Sequence, residues 1–312
     1  MKHEIVITAQ GHKGTMERLQ NEFAPVKLWE AADREATLKA AAHVRGLAHF
    51  GHSKVDGKLM DALPKLEIIS NFGVGVDQID LVAAKKRNVI VTNTPDVLNE
   101  STADLTWSLM LGVMRRIVEG DRLVRRGGWK GFALDFMLGS DLRGKQLGII
   151  GFGRIGQAVA ARAPAFGMRV AYTGRGPKPG VDGEFMPLDR LLSTSDVVSL
   201  HCPLTPETKH LINQTTLARM KRSAYLISAA RGPVVDEAAL VWALENRLIA
   251  GAALDVYEKE PEIHRGLLGF ENVVLSPHLG SSAIETRTTM IQLAAQNIIA
   301  VLSGQPPLTP IG

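Results

Sequence analysis

The 312-residue sequence predicts an α/β protein built on parallel sheets, with a doubly wound six-strand unit set inside a smaller α/β unit. Three observations carry that prediction. Apolar runs of strand length alternate with segments of helical period along the whole chain. A glycine-spaced turn, "GFGRIG" with Gly151, Gly153 and Gly156, falls between one such strand and a helix near mid-chain. The last helical stretch, Ile284 to Leu302, is too short for a domain of its own and is expected to return to the first.

Taken in order, Glu4 to Ala9, Val44 to Phe50 and Leu66 to Phe72 read as strands, separated by helical stretches such as Met16 to Glu22 and Asp33 to Ala42. "NVIVTNTP" is a further strand ended by Pro95, after which Asn99 or Ser101 is placed to cap a long helix running through Leu105, Leu109 and Val113. "GGWKGFALDFMLGSDLRGK" then reads as a loop. Beyond it the strands "QLGIIGFG", "MRVAYTG", "DVVSLHCPL", "AYLISAARG", "AGAALDVY" and "NVVLSPHLG" are separated by helix-length segments, which is the pattern of a doubly wound sheet. The boundaries that follow are 101–283 for the six-strand unit and 1–100 with 284–312 for the other.

Composition narrows the function classes. Hydrophobic residues make up 45% and charged residues 22% of the chain, the balance of a soluble globular protein. No run reaches about eighteen apolar residues, and "MKHEIVITAQ" lacks the apolar core and cleavage site of a secretory signal, so a cytoplasmic location is expected. The one cysteine, Cys202 in "LHCPL", excludes an internal disulfide and reads as a packed thiol at a strand end rather than a nucleophile. A net charge of +4 raises the question of nucleic acid. Glu119 and Asp121 interrupt the basic run "MRRIVEGDRLVRRGGWK", however, and no aromatic-interleaved motif accompanies it, so it reads as a solvated helix face. His49 and His52 in "HFGHS" have HxxH spacing without a third ligand nearby, and no metal is expected.

The glycine turn stands in the context that gives it meaning. Gly151 permits the tight turn, Gly153 lets a pyrophosphate approach the backbone, and Gly156 allows close packing of helix on strand, while Arg154 and Ile155 open the helix whose amides face the anion. This is a dinucleotide site. After the second strand, a carboxylate would accept from both ribose hydroxyls and repel a 2′-phosphate; the chain instead has Thr173, Gly174 and Arg175. A planar cation without the acid predicts NADP(H), with Thr173 and Lys178 as further candidates for the phosphate.

Three later segments occupy carboxyl ends of predicted strands, where ligands bind in open α/β sheets: "SAARGPVVDE", "LDVYEKEP" and "SPHLGS". They bring Arg231, Glu260 and His278. An arginine can bind a carboxylate and polarise the adjoining carbonyl, a histidinium can deliver a proton as hydride arrives, and a glutamate beside the imidazole favours its charged form. Each has a structural reading as well. Arg231 can pair with Asp236, Glu260 can be a surface acid, and His278 can end a strand; Asp255 is open to two roles, histidine partner or nicotinamide contact.

"GFGRIGQAVA", "HCPLTPETKHLIN", "ISAARGPVVDEAALVWAL", "GAALDVYEKEP" and "VVLSPHLGSS", with "LEIISNFGVGVDQIDL" and "VTNTPDVLNESTADL", resemble the D-isomer-specific 2-hydroxyacid dehydrogenase family over nearly the whole chain. The resemblance implies a Rossmann cofactor domain inserted in a smaller flavodoxin-like substrate domain, a cleft between them, and a homodimer. It implies catalytic roles for Arg231, Glu260 and His278, and carboxylate binding by the backbone amides of Val74 and Gly75. Thr102, Ala229, Asp255 and Gly280 would line the nicotinamide, and Pro203 and Thr208 would flank the adenosine half. "YTGR" is similar to the NADPH-dependent glyoxylate/hydroxypyruvate reductases of the family. The arm holding Trp129, Phe132 and Phe136 resembles the family's dimerisation loop, and with Leu47 to His52 it would shape the substrate pocket. The expected activity is reduction of a small 2-oxo acid. Reduction of larger acids such as phenylpyruvate, a D-3-phosphoglycerate dehydrogenase and a dinucleotide-sensing binding protein are the alternatives.

Overall fold

In the computed structural model, residues 2–11, 13–51 and 53–311 are described. They fold as two units, one of Met1–Leu98 with Ser282–Gly312 and one of Asn99–Ser281. No helix among the described residues is long and apolar enough to cross a membrane. The first unit holds β1 (His3–Ile7), α1 (Lys13–Glu22), β2 (Phe23–Lys27), α2 (Arg34–Ala40), β3 (Gly46–His49), α3 (Gly57–Asp61), β4 (Ile68–Asn71), α4 (Leu81–Lys86) and β5 (Ile90–Thr92). All pairs in its sheet are parallel, in the order β2-β1-β3-β4-β5.

Alternation along the strands splits the side chains between two faces. Ile5, Ile7, Ala48 and Ile68 enter one core with Leu19 and Phe23 and with Ile291 and Ile298 of the C-terminal helix, whereas Val6, Leu47, Ile69 and Val91 enter another with Leu38, Leu59 and Met60. Both faces are therefore covered, as a parallel sheet requires.

The second unit begins with α5 (Asn99–Met114) and α6 (Ile117–Arg125), then runs β6 (Gln146–Ile150), α7 (Arg154–Arg162), β7 (Arg169–Thr173), β8 (Glu184–Phe185), α8 (Leu188–Thr194), β9 (Val197–Leu200), α9 (Gln214–Leu217), β10 (Tyr225–Ser228), α10 (Glu237–Glu245), β11 (Gly251–Leu254) and β12 (Val273–Leu275). Its strand order is β12-β11-β10-β9-β6-β7-β8, again with every pair parallel. The order reverses beside β6, which puts the switch point of a doubly wound sheet at the glycine turn after β6. α11 (Ile284–Leu302) belongs to the first unit, where the Ala294 carbonyl accepts from Ser70 Oγ at 3.0 Å.

Three features differ from the sequence expectations. β2 was not expected: its central Pro25 lacks an N–H, but as an edge strand β2 bonds only to β1 and tolerates the loss. β8 is a seventh strand of only two residues, too short to show a period. Asn99 and Ser101 do not precede the long helix but lie in its first turn, and the Ser101 hydroxyl donates instead to the Gly280 carbonyl at 3.1 Å.

Candidate active site

The glycine turn has the geometry of a nucleotide cradle. Gly151 has φ +95, and a β-carbon there would collide with the backbone of Cys202; one at Gly156 would collide with the Gly151 carbonyl. A β-carbon at Gly153 would meet nothing within 4 Å, so open space lies over the start of α7. Gly153 is the N-cap of α7 and offers no side chain to its first-turn amides, and Arg154 and Ile155 follow it as the first helical residues. Those amides and the helix dipole suit an anion. Beside the turn, Nδ1 of His201 is buried without a partner while Nε2 lies 2.8 Å from Ser199 Oγ, and burial pushes the imidazole down to about 4. The neighbouring Cys202 is buried, which pushes its thiol up to about 11.

At the end of β7 the Thr173 carbonyl accepts from Gly151 N at 3.0 Å, fastening the second strand to the turn. Gly174 and Arg175 follow and are exposed; Arg175 makes no hydrogen bond or ion pair among the described residues. Pro203 and Thr208 are joined, Thr208 Oγ1 donating to the Pro203 carbonyl at 2.7 Å. These residues fit a dinucleotide with an extra phosphate: a cradle without side chains, and a cation with no internal partner at the ribose end.

The second cluster forms at the carboxyl ends of the neighbouring strands β10, β11 and β12. Asp255, 1% exposed, follows β11 and organises the segment after β12. Its carboxylate accepts from Ser276 Oγ (2.6 Å), Leu279 N (2.7 Å) and Gly280 N (2.9 Å), and its carbonyl accepts from His278 N (2.9 Å). Burial raises the Asp255 carboxyl above its ordinary value despite those donors and the nearby His278. This bracing holds His278 in the left-handed region, φ 54, a conformation that a non-glycine residue keeps only when its surroundings impose it.

The imidazole so placed meets Glu260: His278 Nδ1 and Glu260 Oε2 are 2.8 Å apart, and the other carboxylate oxygen accepts from Tyr257 N at 3.0 Å. Of the two partners left open for the histidine, the ring takes Glu260, and Asp255 serves the backbone. The Glu260 loop is held from α10. Glu237, 4% exposed, accepts from Glu258 N at 2.7 Å and His264 N at 3.1 Å, and Glu258 returns the bond to Glu237 N. Arg231, half-buried after β10, donates from Nη1 to the Ala230 carbonyl at 2.8 Å. Asp236 caps α10 through Ala239 N. The next residue, Gly232, packs so closely on the Tyr257 carbonyl that no β-carbon fits, which brings the Arg231 and Glu260 segments together. Thr102 and the Asp255 carboxylate both lie 3.5 Å from where a β-carbon of Gly280 would sit, so these three expected nicotinamide residues share one place, and Ala229 is half-buried on the Arg231 segment.

Val74 and Gly75 lie in the first unit, after β4. Every carbonyl around them is taken: Asn71 Nδ2 donates to Gly73 O (3.1 Å) and Gly75 O (2.9 Å), and Asn93 Nδ2 donates to Val74 O (2.8 Å). The N–H groups of Val74 and Gly75 donate to nothing among the described residues, and adjacent unused amides of this kind suit an anion. Asn71 and Asn93 were not singled out from sequence, because their effect runs through backbone carbonyls and no motif announces it. His49, buried beside Thr8 at 3.2 Å, belongs to the same unit; His52 of the HxxH pair, with the end of the Leu47 to His52 segment, lies outside the described residues.

Comparison with known proteins identifies the family. The model of the D-isomer specific 2-hydroxyacid dehydrogenase NAD binding domain matches residues 107–280. The chain is 45% identical to a glyoxylate reductase of Thermococcus onnurineus, over 99% of this chain and 96% of that one. It is also 45% identical to a hydroxyphenylpyruvate reductase of Plectranthus scutellarioides, over 95% and 94%. The crystal structure of an NADPH-dependent glyoxylate/hydroxypyruvate reductase from Sinorhizobium meliloti, in complex with NADP and malonate, superposes with a TM-score of 0.91 at 39% identity, covering 100% of this chain and 97% of that one. A two-unit parallel fold, a nucleotide cradle at the switch point and these full-length matches together establish that the chain belongs to the D-isomer-specific 2-hydroxyacid dehydrogenase family.

Proposed function

We propose that the protein is an NADPH-dependent reductase of small 2-oxo acids, converting glyoxylate to glycolate and hydroxypyruvate to D-glycerate. The observation that carries the reading is the bonded pair His278 and Glu260 at 2.8 Å, on strand ends next to Arg231 and in the unit that holds the glycine cradle. The glyoxylate reductases among the relatives, and the NADP of the Sinorhizobium complex, support the substrate and the cofactor.

In this mechanism the bound reduced nicotinamide supplies a hydride to the carbonyl carbon. Arg231 binds the substrate's carboxylate and carbonyl oxygens and draws electron density toward the oxygen. His278 gives its proton to that oxygen from Nε2, since Nδ1 is committed to Glu260. Glu260 fixes the ring's orientation and balances its positive charge. The amides of Val74 and Gly75 hold the carboxylate; that they have no acceptor among the described residues supports the assignment. Thr102, Ala229, Asp255 and Gly280 line the nicotinamide, the turn at Gly151, Gly153 and Gly156 with Arg154 and Ile155 holds the pyrophosphate, Pro203 and Thr208 flank the adenosine, and Arg175 with Thr173 and Lys178 takes the 2′-phosphate.

The working unit is a cytoplasmic homodimer. Trp129 (58%), Phe132 (86%) and Phe136 (43%) are exposed on an arm together with Leu134 and Leu138, an apolar surface that a second copy of the chain would cover. A second reading, a preference for aromatic 2-oxo acids, draws on the Plectranthus hydroxyphenylpyruvate reductase. Comparing kcat/KM for glyoxylate, hydroxypyruvate and phenylpyruvate under saturating NADPH separates the two. The small acids are expected to lead, with hydroxypyruvate giving the D product; a lead for phenylpyruvate would favour the second.

A further inference from the structure

Residues 174–180, which leave β7 toward β8 and carry Arg175 and Lys178, have few bonds of their own. Among the described residues their only hydrogen bonds run to one side chain. Lys178 N donates to the Tyr172 hydroxyl at 2.7 Å, and that hydroxyl donates weakly to the Lys178 carbonyl at 3.5 Å. Tyr172 is itself fixed. It is 2% exposed, its ring stacks on Phe152 of the glycine turn with centroids 3.9 Å apart at 16°, and Phe185 of β8 packs against it at 5.6 Å. A buried phenol needs a partner for its hydroxyl, and this one finds it in the loop, tying the segment that bears Arg175 to the turn that cradles the pyrophosphate.

We infer that the Tyr172 hydroxyl is a specificity-positioning group, holding residues 174–178 so that Arg175 and Lys178 present their cations to the 2′-phosphate of NADP(H). The inference rests on the reading of Arg175 as the phosphate partner. A long cationic side chain on an untethered loop must lose both loop and rotamer freedom when it binds, whereas a tethered loop has already lost most of the first. NADH carries no group for Arg175 or Lys178 to bind at that position, so it gains nothing from the order. The tether therefore acts on the choice between the cofactors, and it does so from a residue that does not itself touch the phosphate.

Tyr172→Phe removes the hydroxyl and keeps the stack on Phe152. Dissociation constants for NADPH and NADH are measured without substrate by nicotinamide fluorescence, and those for adenosine 2′,5′-bisphosphate and adenosine 5′-monophosphate by calorimetry. They are compared in wild type, Tyr172→Phe, Arg175→Ala and the double variant. The loss of about one hydrogen bond's contribution predicts roughly five- to tenfold weaker NADPH and bisphosphate binding in Tyr172→Phe, with NADH and the monophosphate within about twofold. The double variant is expected to bind NADPH as weakly as Arg175→Ala alone, because without the cation the tether has nothing to position. Trypsin cleavage after Arg175 provides a second readout: it should be faster in Tyr172→Phe and slowed by NADPH in the wild type. Equal weakening of both cofactors, or no change in either, overturns the inference while leaving the Arg175 reading intact if Arg175→Ala is selective. An Arg175→Ala variant with an unchanged NADPH to NADH ratio overturns that reading and the inference with it.

Discussion

His278 is the proposed proton donor, and its surroundings fix both its backbone and its ring. Its backbone is held at φ 54 by the Asp255 carbonyl, and its ring is held by Glu260, so two acids fix one imidazole in complementary ways. His278→Gln keeps the size and loses the proton donor; kcat should fall by about 10²-fold or more with the KM for NADPH nearly unchanged. An unaltered kcat would remove the residue from the mechanism. Cys202 gives the opposite kind of prediction. Burial pushes its thiol up to about 11, so at pH 8 it carries almost no thiolate and an alkylating reagent should leave the native protein unlabelled, reacting only after denaturation. Rapid native labelling would show that Cys202 is not packed away after β9.

Elements explain both what the sequence discloses and what it hides. β6, β9, β10 and β11 are buried on both faces and read as apolar runs, so each is visible without its neighbours. β2 is hidden by Pro25 and β8 by its length, because the pairing that makes them strands comes from β1 and β7 rather than from their own residues. The site divides in the same way. Arg231, Glu260 and His278 stand out in the sequence as candidates because their chemistry is in the side chain and their positions follow strands. Asn71, Asn93 and Glu237 act by accepting from or donating to backbone, and only the folded chain shows which backbone.

Asp196, just before β9, shows an element-scale consequence. Burial disfavours its charge, but the Gln146 amide at 2.8 Å and the Lys221 ammonium at 3.0 Å outweigh this and lower its carboxyl below 3.8. A lowered folded value means stability that is present above the unfolded value and lost as the pH falls through the folded one. Asp196→Asn should therefore cost about 1–2 kcal/mol at pH 7, measured by urea unfolding, with the difference from wild type narrowing as the pH drops below 3.8. A difference independent of pH would place the effect in packing rather than charge.

For the whole molecule, the exposed aromatics of the arm and the exposed α6 residues Ile117 and Val124 are the apolar side chains that the proposed second copy would cover. Sedimentation equilibrium is expected to give twice the 33.8 kDa chain mass, and Phe132→Asp with Leu134→Asp should shift it toward one chain. A monomeric wild type would contradict the dimer. The family, with its doubly wound cofactor unit, is fixed by the fold and the matches, while the proposed preference for NADPH rests on the exposed segment after β7 that carries Gly174 and Arg175. The most direct measurement is the initial rate of glyoxylate reduction by the wild-type protein with NADPH and with NADH in parallel, followed by nicotinamide absorbance. Turnover is expected with both, with a kcat/KM at least about tenfold higher for NADPH, the equivalent of one charge-assisted contact of about 1.4 kcal/mol. A preference for NADH, or no turnover with either, would contradict it.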